Sequence, residues 1–302
     1  MAAKDDARST PPPLPEPLAV AVADSHTHLD MQSGTPAEGL AKAASVGVTT
    51  VVQVGCDVPG SRWAAELAAQ YEQVHAAVAL HPNEAPRIFL GDDGGTSQPS
   101  GAGGGWSGQQ RLAGGRAALD EALAEIDRLA ALPQVLAVGE TGLDYFRTGP
   151  EGVEIQKESF RRHIEMAKRH GKALVIHDRD AHEDVIAVLL EEGAPERTVF
   201  HCYSGDAEMA KTCAEHGWYL SFAGPVTFKA NQPLRDALLA TPLDRILVET
   251  DAPFLTPHPY RGRPNAPYLI PVTVRSMAAT LGLAEDELSA AIAENTARAF
   301  GY

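Results

Sequence analysis

The sequence predicts an α/β protein built as a (β/α)8 TIM barrel, and three observations carry that expectation. Short, largely apolar runs alternate with segments of helical spacing along almost the whole chain. Eight strand-like runs can be read, each followed by a helix or a long loop. Polar residues recur at the C-terminal ends of those runs, where barrel active sites are built. A doubly wound open sheet is the rival, but its dinucleotide fingerprint is absent after the first strand.

The first 18 residues combine mixed charge with a proline cluster and are expected to form a disordered tail ahead of one barrel domain, 19–302. AVAVADSHTH reads as the first strand, PAEGLAKAASVG as a helix ending at Gly47, and TTVVQVG as the second strand. PGSRWAAELAAQYEQ is helical and VHAAVALHP is the third strand. Positions 91–115 break the rhythm with glycine, serine and glutamine, a composition expected of a flexible surface insertion. Order resumes with the helix RAALDEALAEIDRLAAL, the strand VLAVGETGLD, a helix from Gln156 to His170, and the strand ALVIHDRD. AHEDVIAVLLEEG, AEMAKTCAEHG and QPLRDALLAT are helices separating the strands TVFHCYSG, WYLSFAG and ILVETDAPFL. Two closing helices are expected to pack outside the barrel.

Composition narrows the function classes. A net charge of −15 opposes a broad electrostatic grip on a phosphate backbone, so a nucleic-acid substrate would need local attraction from divalent cations or clustered arginines. Three cysteines, Cys56, Cys202 and Cys213, have no paired spacing and suit a reducing, cytoplasmic location. No apolar run approaches the ~20 residues of a membrane-spanning helix, so no membrane association is expected.

The strand ends collect His26 and His28, then His81, Glu140, His177, His201 and Asp251. Each has a structural alternative, a strand cap or an ion pair, but their recurrence at one register of one fold favours a metal centre. Imidazoles mixed with carboxylates suit Zn, Mn or Fe better than Mg alone, and six ligands drawn from these seven can hold two ions.

DSHTHLD, LHP, GETGLDYF, IHDRDA, FHCYSG, ETDAPFLTP and RGRPNAP, in that order, resemble the successive motifs of the TatD family of metal-dependent hydrolases. The resemblance runs from about Asp24 to Phe300 and implies an amidohydrolase-like barrel with two divalent metal ions and deoxyribonuclease activity. Carried over by position, it implies that His26, His28 and Asp251 bind one ion, His177 and His201 the other, and Glu140 bridges them. Asp251 is then also the candidate general base. His81 matches the first histidine of the family's His-Pro-His element and is a substrate-binding candidate, but Asn83 stands where the second is usual.

Arg263 resembles the family's basic substrate loop and can offer a planar fork to phosphate. Arg179 and Ser204 adjoin ligand positions and are further substrate-binding candidates, although Arg179 could instead pair with Asp178 or Asp180. Trp218 and Tyr219 could stack a base, but aromatics at a strand start are more often core. The leading expectation is a nuclease acting on single-stranded DNA ends. The alternatives are an ester or amide hydrolase, such as an aminoacyl-tRNA deacylase, and a noncatalytic binding barrel.

Overall fold

The computed structural model describes residues 9–91 and 114–302. The insertion expected at 91–115 therefore lies outside the described residues from 92 to 113, as do the first eight residues of the expected tail.

The strands are β1 (Val22–Thr27), β2 (Val48–Gly55), β3 (Val74–Val78), β4 (Val135–Asp144), β5 (Ala173–Arg179), β6 (Thr198–Phe200), β7 (Tyr219–Phe222) and β8 (Ile246–Val248). They form one eight-stranded sheet in sequence order. The helices between them are α1 (Pro36–Ala44), α2 (Val58–Gln70), α3 (Glu84–Leu90), α4 (Arg116–Ala130), α5 (Pro150–His170), α6 (His182–Glu192), α7 (Ala207–Glu215) and α8 (Gln232–Ala240). After β8 come α9 (Ile270–Leu281) and α10 (Glu285–Phe300). This is the βα alternation of a (β/α)8 barrel.

By internal contacts the chain divides into two compact units, Met1–Gln53 with His201–Ala299, and Val54–Phe200 with Phe300–Tyr302. In the first, β7 pairs with β8 in parallel, Leu220 opposite Ile246. There β1 meets the chain leaving β8: Thr27 bridges Ala252 in parallel, and Asp251 N–H donates to His26 O at 2.9 Å. The first and last strands are thus neighbours, as closure of the sheet requires.

Local chemistry explains where elements begin. Thr35 caps α1 through a reciprocal capping box with Glu38, and Pro36 follows at the first turn. In the second unit, α4 buries Leu119, Leu123, Ile126 and Ala130, the 4-3-4 spacing of one helical face. α5 ends where Gly171 adopts a left-handed conformation at φ 60°.

The stretch expected to be disordered through residue 18 is held in place over its described part. Leu18 is buried and its N–H donates to Val46 O at 3.0 Å. Tyr268 Oη donates to Pro12 O at 2.8 Å, and Arg275 Nη2 to Glu16 O at 2.8 Å. Prolines lack N–H groups but keep carbonyl acceptors, and donors from around α9 satisfy them. Composition alone does not show such partners.

Several strands also stop short of their expected ends. β3 ends at Val78, β6 at Phe200 and β8 at Val248, so His81, His201 and Asp251 lie on the chain beyond the ladders. Positive φ at Cys202 (42°) and Asp251 (53°) marks where the backbone turns out of two of them.

His163 of α5 links the core of the second unit to one of these exits. Its Nε2 accepts from Leu80 N–H at 3.1 Å, while its Nδ1 donates to Ser159 O at 2.7 Å, which defines a neutral tautomer. Burial pushes the imidazole from its ordinary 6.5 down to about 4. Between those values the unfolded chain binds a proton that the folded chain refuses. The contribution is therefore fully present above pH 6.5 and declines as pH falls towards 4, by about 3 kcal/mol at most. We expect His163→Gln, whose amide oxygen can still accept from Leu80, to lose less stability than wild type between pH 7 and about 4.5, as read by urea midpoints. Equal losses in the two proteins would refute this account.

Candidate metal centre

Two strands carry one residue more than their neighbours at ligand positions. Asp24 pairs with Val51 and Thr27 with Gln53, so β1 bulges around Ser25 and His26. Val138 pairs with Leu174 and Thr141 with Ile176, so β4 bulges around Gly139 and Glu140. A bulge bends the strand and re-aims the side chain at that point. Past the second bulge β4 runs tight against β5: a Cβ at Gly142 (φ 138°) would fall on the carbonyl oxygen of His177.

In the first unit the geometry gathers four of the predicted ligands. His26 Nε2 and His28 Nε2 lie 3.3 Å apart. Asp251 Oδ1 lies 3.5 Å from His28 Nε2 and 3.8 Å from His26 Nε2. The ring of His201 stacks on that of His26, centroids 3.9 Å apart. Burial works against ionisation of Asp251, but the imidazoles of His28, His26 and His201 outweigh it and hold the carboxyl below its usual range.

In the second unit His177 is shared between two carboxylates. Its Nδ1 lies 3.1 Å from Glu140 Oε2 and its Nε2 lies 3.2 Å from Asp144 Oδ2. His81 stands beside it, ring centroids 4.5 Å apart, with Nε2 at 3.9 Å from Glu140 Oε2. Cys56 Sγ donates to Glu140 Oε1 at 3.1 Å. Burial raises the Asp144 carboxyl, but the His177 hydrogen bond and charge overcome it and bring it to about 2.

Three carboxylates escaped the sequence reading. Glu249, fully buried, accepts from Cys202 N–H at 2.7 Å and faces His201 Nδ1 at 3.3 Å through Oε1. Asp24, also fully buried, accepts from Thr250 N–H at 2.9 Å and Thr250 Oγ1 at 2.5 Å, tying β1 to the segment that carries Asp251. Burial pushes its carboxyl up to about 7 against those hydrogen bonds. Asp144 is the third. The available signals were the glutamate before Thr250 in ETD, the aspartate closing GLD, and a carboxylate inside an apolar run.

The donor set fits divalent cations. His26, His201 and Glu249 offer ligand atoms within 4.8 Å of one another. Glu249 Oε2 is buried with no hydrogen-bond partner, a costly state that a cation would relieve. Neutral imidazole nitrogens and ionised carboxylates are ligands for Zn, Mn or Fe.

The substrate candidates divide. His81 Nδ1 accepts from Asn83 N–H at 3.0 Å, so its proton sits on Nε2, facing Glu140. The Asn83 side chain donates to Asp144 Oδ2 at 3.0 Å and is held in the second unit's network. Arg179 does not pair with Asp178 or Asp180: its guanidinium lies 3.9 Å from the centroid of the Phe146 ring, and Asp178 pairs with His182 at 2.7 Å. Ser204 is exposed in the segment after His201. Arg263 Nε donates to Thr10 O at 2.8 Å and Nη2 to Pro11 O at 2.6 Å, so two of its donors hold the proline-rich N-terminal segment. Trp218 and Tyr219 are buried.

Glu249 fixes the His201 tautomer by accepting at Nδ1, which leaves Nε2 for a metal. Glu249→Gln is expected to weaken metal affinity about 10- to 100-fold without unfolding the chain. Competition with a chromophoric chelator reads the affinity and circular dichroism the fold; unchanged affinity would remove Glu249 from this role.

Comparison with known proteins places the chain. The family described as TatD related DNase matches residues 23–301. A metal-dependent hydrolase of Mycobacterium tuberculosis named TatD is 41% identical over 286 residues, covering 92% of this chain and 97% of that protein. The hydrolase YabD of Bacillus subtilis is 35% identical over 281 residues, covering 92% and 98%. Among solved structures, YjjV, a TatD homologue from Escherichia coli, superposes with a TM-score of 0.77 at 24% identity, covering 93% of this chain and 98% of that one. The barrel order of strands, the bulged histidine and glutamate positions and these matches lead to one conclusion: the chain belongs to the TatD family of metal-dependent hydrolases.

Proposed function

We propose that this protein is a divalent-metal-dependent deoxyribonuclease acting on single-stranded DNA ends. The observation that carries the reading is the convergence of buried His26, His28 and His201 with Asp251, in a family described as TatD related DNase. The assignment of ions is part of the proposal: His26, His28 and Asp251 would hold one ion, and Glu140, His177 and His201 are the further ligands that the family resemblance implies.

Divalent ions bound by such ligands lower the pKa of water and offset negative charge on a phosphoryl group. The protein's own groups do the rest. Asp251, kept ionised by its histidine neighbours, accepts the proton of the attacking water. His81 holds its proton at Nε2 and can donate it to a phosphate oxygen. Glu249 holds His201, and Asp24 holds the backbone at Thr250, so Asp251 keeps its place through the reaction. With a net charge of −15 the protein has little general attraction for a duplex, which favours a chain terminus entering a local site.

Metal-reconstituted protein is expected to shorten end-labelled single-stranded DNA, and chelation to abolish the activity. Asp251→Asn should lower kcat by roughly 10²- to 10⁴-fold, the usual weight of a general base. His26→Ala should lower bound metal, measured by elemental analysis, with the fold retained. Release of the aminoacyl group from aminoacyl-tRNA without DNA cleavage would replace this reading with a deacylase, and DNA cleavage that survives both substitutions would refute it.

A further inference from the structure

Beside the Glu140–His177 cluster lies an aromatic side chain that the metal chemistry does not use. Phe146 is 60% exposed, the most exposed of the large apolar side chains among the described residues. A single exposed ring is common on protein surfaces; what distinguishes this one is the arginine held over it and its place beside the Glu140–His177 cluster.

The turn is fixed from below. Asp144, the carboxylate that holds His177, accepts from Phe146 N–H at 3.1 Å and from Arg147 N–H at 3.0 Å through Oδ1. Tyr145 N–H donates to Arg179 O at 2.9 Å. The Tyr145 side chain is turned to α6, where its hydroxyl donates to Asp184 at 2.5 Å beside Lys157. Only Phe146 of this segment is left presenting its ring outwards.

Arg179 completes the arrangement. It lies opposite Asp144 in the β4–β5 register, and strand alternation puts it on the same side of β5 as His177. Its guanidinium is held over the Phe146 ring at 3.9 Å and forms no ion pair with any described carboxylate. In a chain of net charge −15, a cation without an acidic partner two residues from His177, a candidate metal ligand, is an anion-facing group.

We propose that Phe146 and Arg179 form a nucleotide subsite of the DNA-binding face, Phe146 stacking on a base of the single strand and Arg179 contacting its neighbouring phosphate. This rests on the deoxyribonuclease reading and names where the substrate's non-reacting part is held. A flat ring accepts any base, so the subsite is tolerant of sequence and selective for unpaired nucleotides, whose faces are free. The turn is already ordered by Asp144, so little additional ordering is needed when a base arrives.

The test compares two fluorescein-labelled single strands of equal length, one carrying bases and one of abasic residues on the same backbone. Binding is read by anisotropy to metal-reconstituted protein in the Asp251→Asn background, with metal content measured for each variant. Phe146→Ala is expected to weaken binding of the base-bearing strand about 5- to 100-fold and to leave the abasic strand unchanged, while Phe146→Tyr retains affinity. Arg179→Ala should weaken both strands and flatten the salt dependence. Equal effects of Phe146→Ala on both strands, or none on either, would overturn the subsite. The reading beneath fails separately: wild-type protein that binds bases through Phe146 but cleaves no DNA loses the nuclease assignment alone. Cleavage whose KM ignores Phe146→Ala removes the subsite alone, and failure to bind either strand overturns it as well.

Discussion

The extra residue in β1 between Asp24 and Thr27, and its counterpart in β4 between Val138 and Thr141, decide how the metal-binding side chains can be aimed. A regular parallel strand places alternate side chains on alternate faces, and one side of each barrel strand must fill the core. The bulges break that alternation at His26 and Glu140, so those residues leave the core pattern while their neighbours remain in it. The ladders around them must then hold. Val51, Val54, Leu174 and Ile176, all buried, supply that support.

Taking charged and polar groups out of water near these bulges carries a cost that the fold meets with specific partners. Asp24 is held by Thr250, Asp144 by His177, Asn83 and two backbone amides, and Glu249 by Cys202 N–H and His201. In each unit, carboxylates are thereby ordered beside histidines. Such partners select tautomers and ring orientation before any cation arrives. The left-handed backbone at Cys202 and Asp251 belongs to the same economy, since strain there is tolerated by the hydrogen bonds that surround it.

The arginines show how one residue type is put to different ends. Arg263 spends its donors on the carbonyls of Thr10 and Pro11, and Arg275 does the same at Glu16, so both hold the N-terminal segment in the first unit. Arg179 keeps its hydrogen-bonding edges free and lies flat on Phe146. A guanidinium can serve either purpose because its fork and its faces interact independently.

The βα alternation was legible in the sequence because period-two and helical spacing are local properties. The candidate ligands were legible because histidines and carboxylates recur at corresponding ends of those units. The resemblance of DSHTHLD, GETGLDYF and ETDAPFLTP to one family named the chemistry from the same residues. Local pattern could not show that β3, β6 and β8 end before His81, His201 and Asp251, because strand ends are set by the neighbour's last hydrogen bond. Nor could it reveal that Asp24 and Thr250, 226 positions apart, share hydrogen bonds, that prolines at the N-terminus find donors on Arg263 and Tyr268, or that Arg179 prefers a ring to Asp178 and Asp180. The sequence by itself determined the fold class and which residue types could bind metal. Only the tertiary structure decided which side chains meet, because each partnership joins residues far apart along the chain that only the packing of its elements brings together.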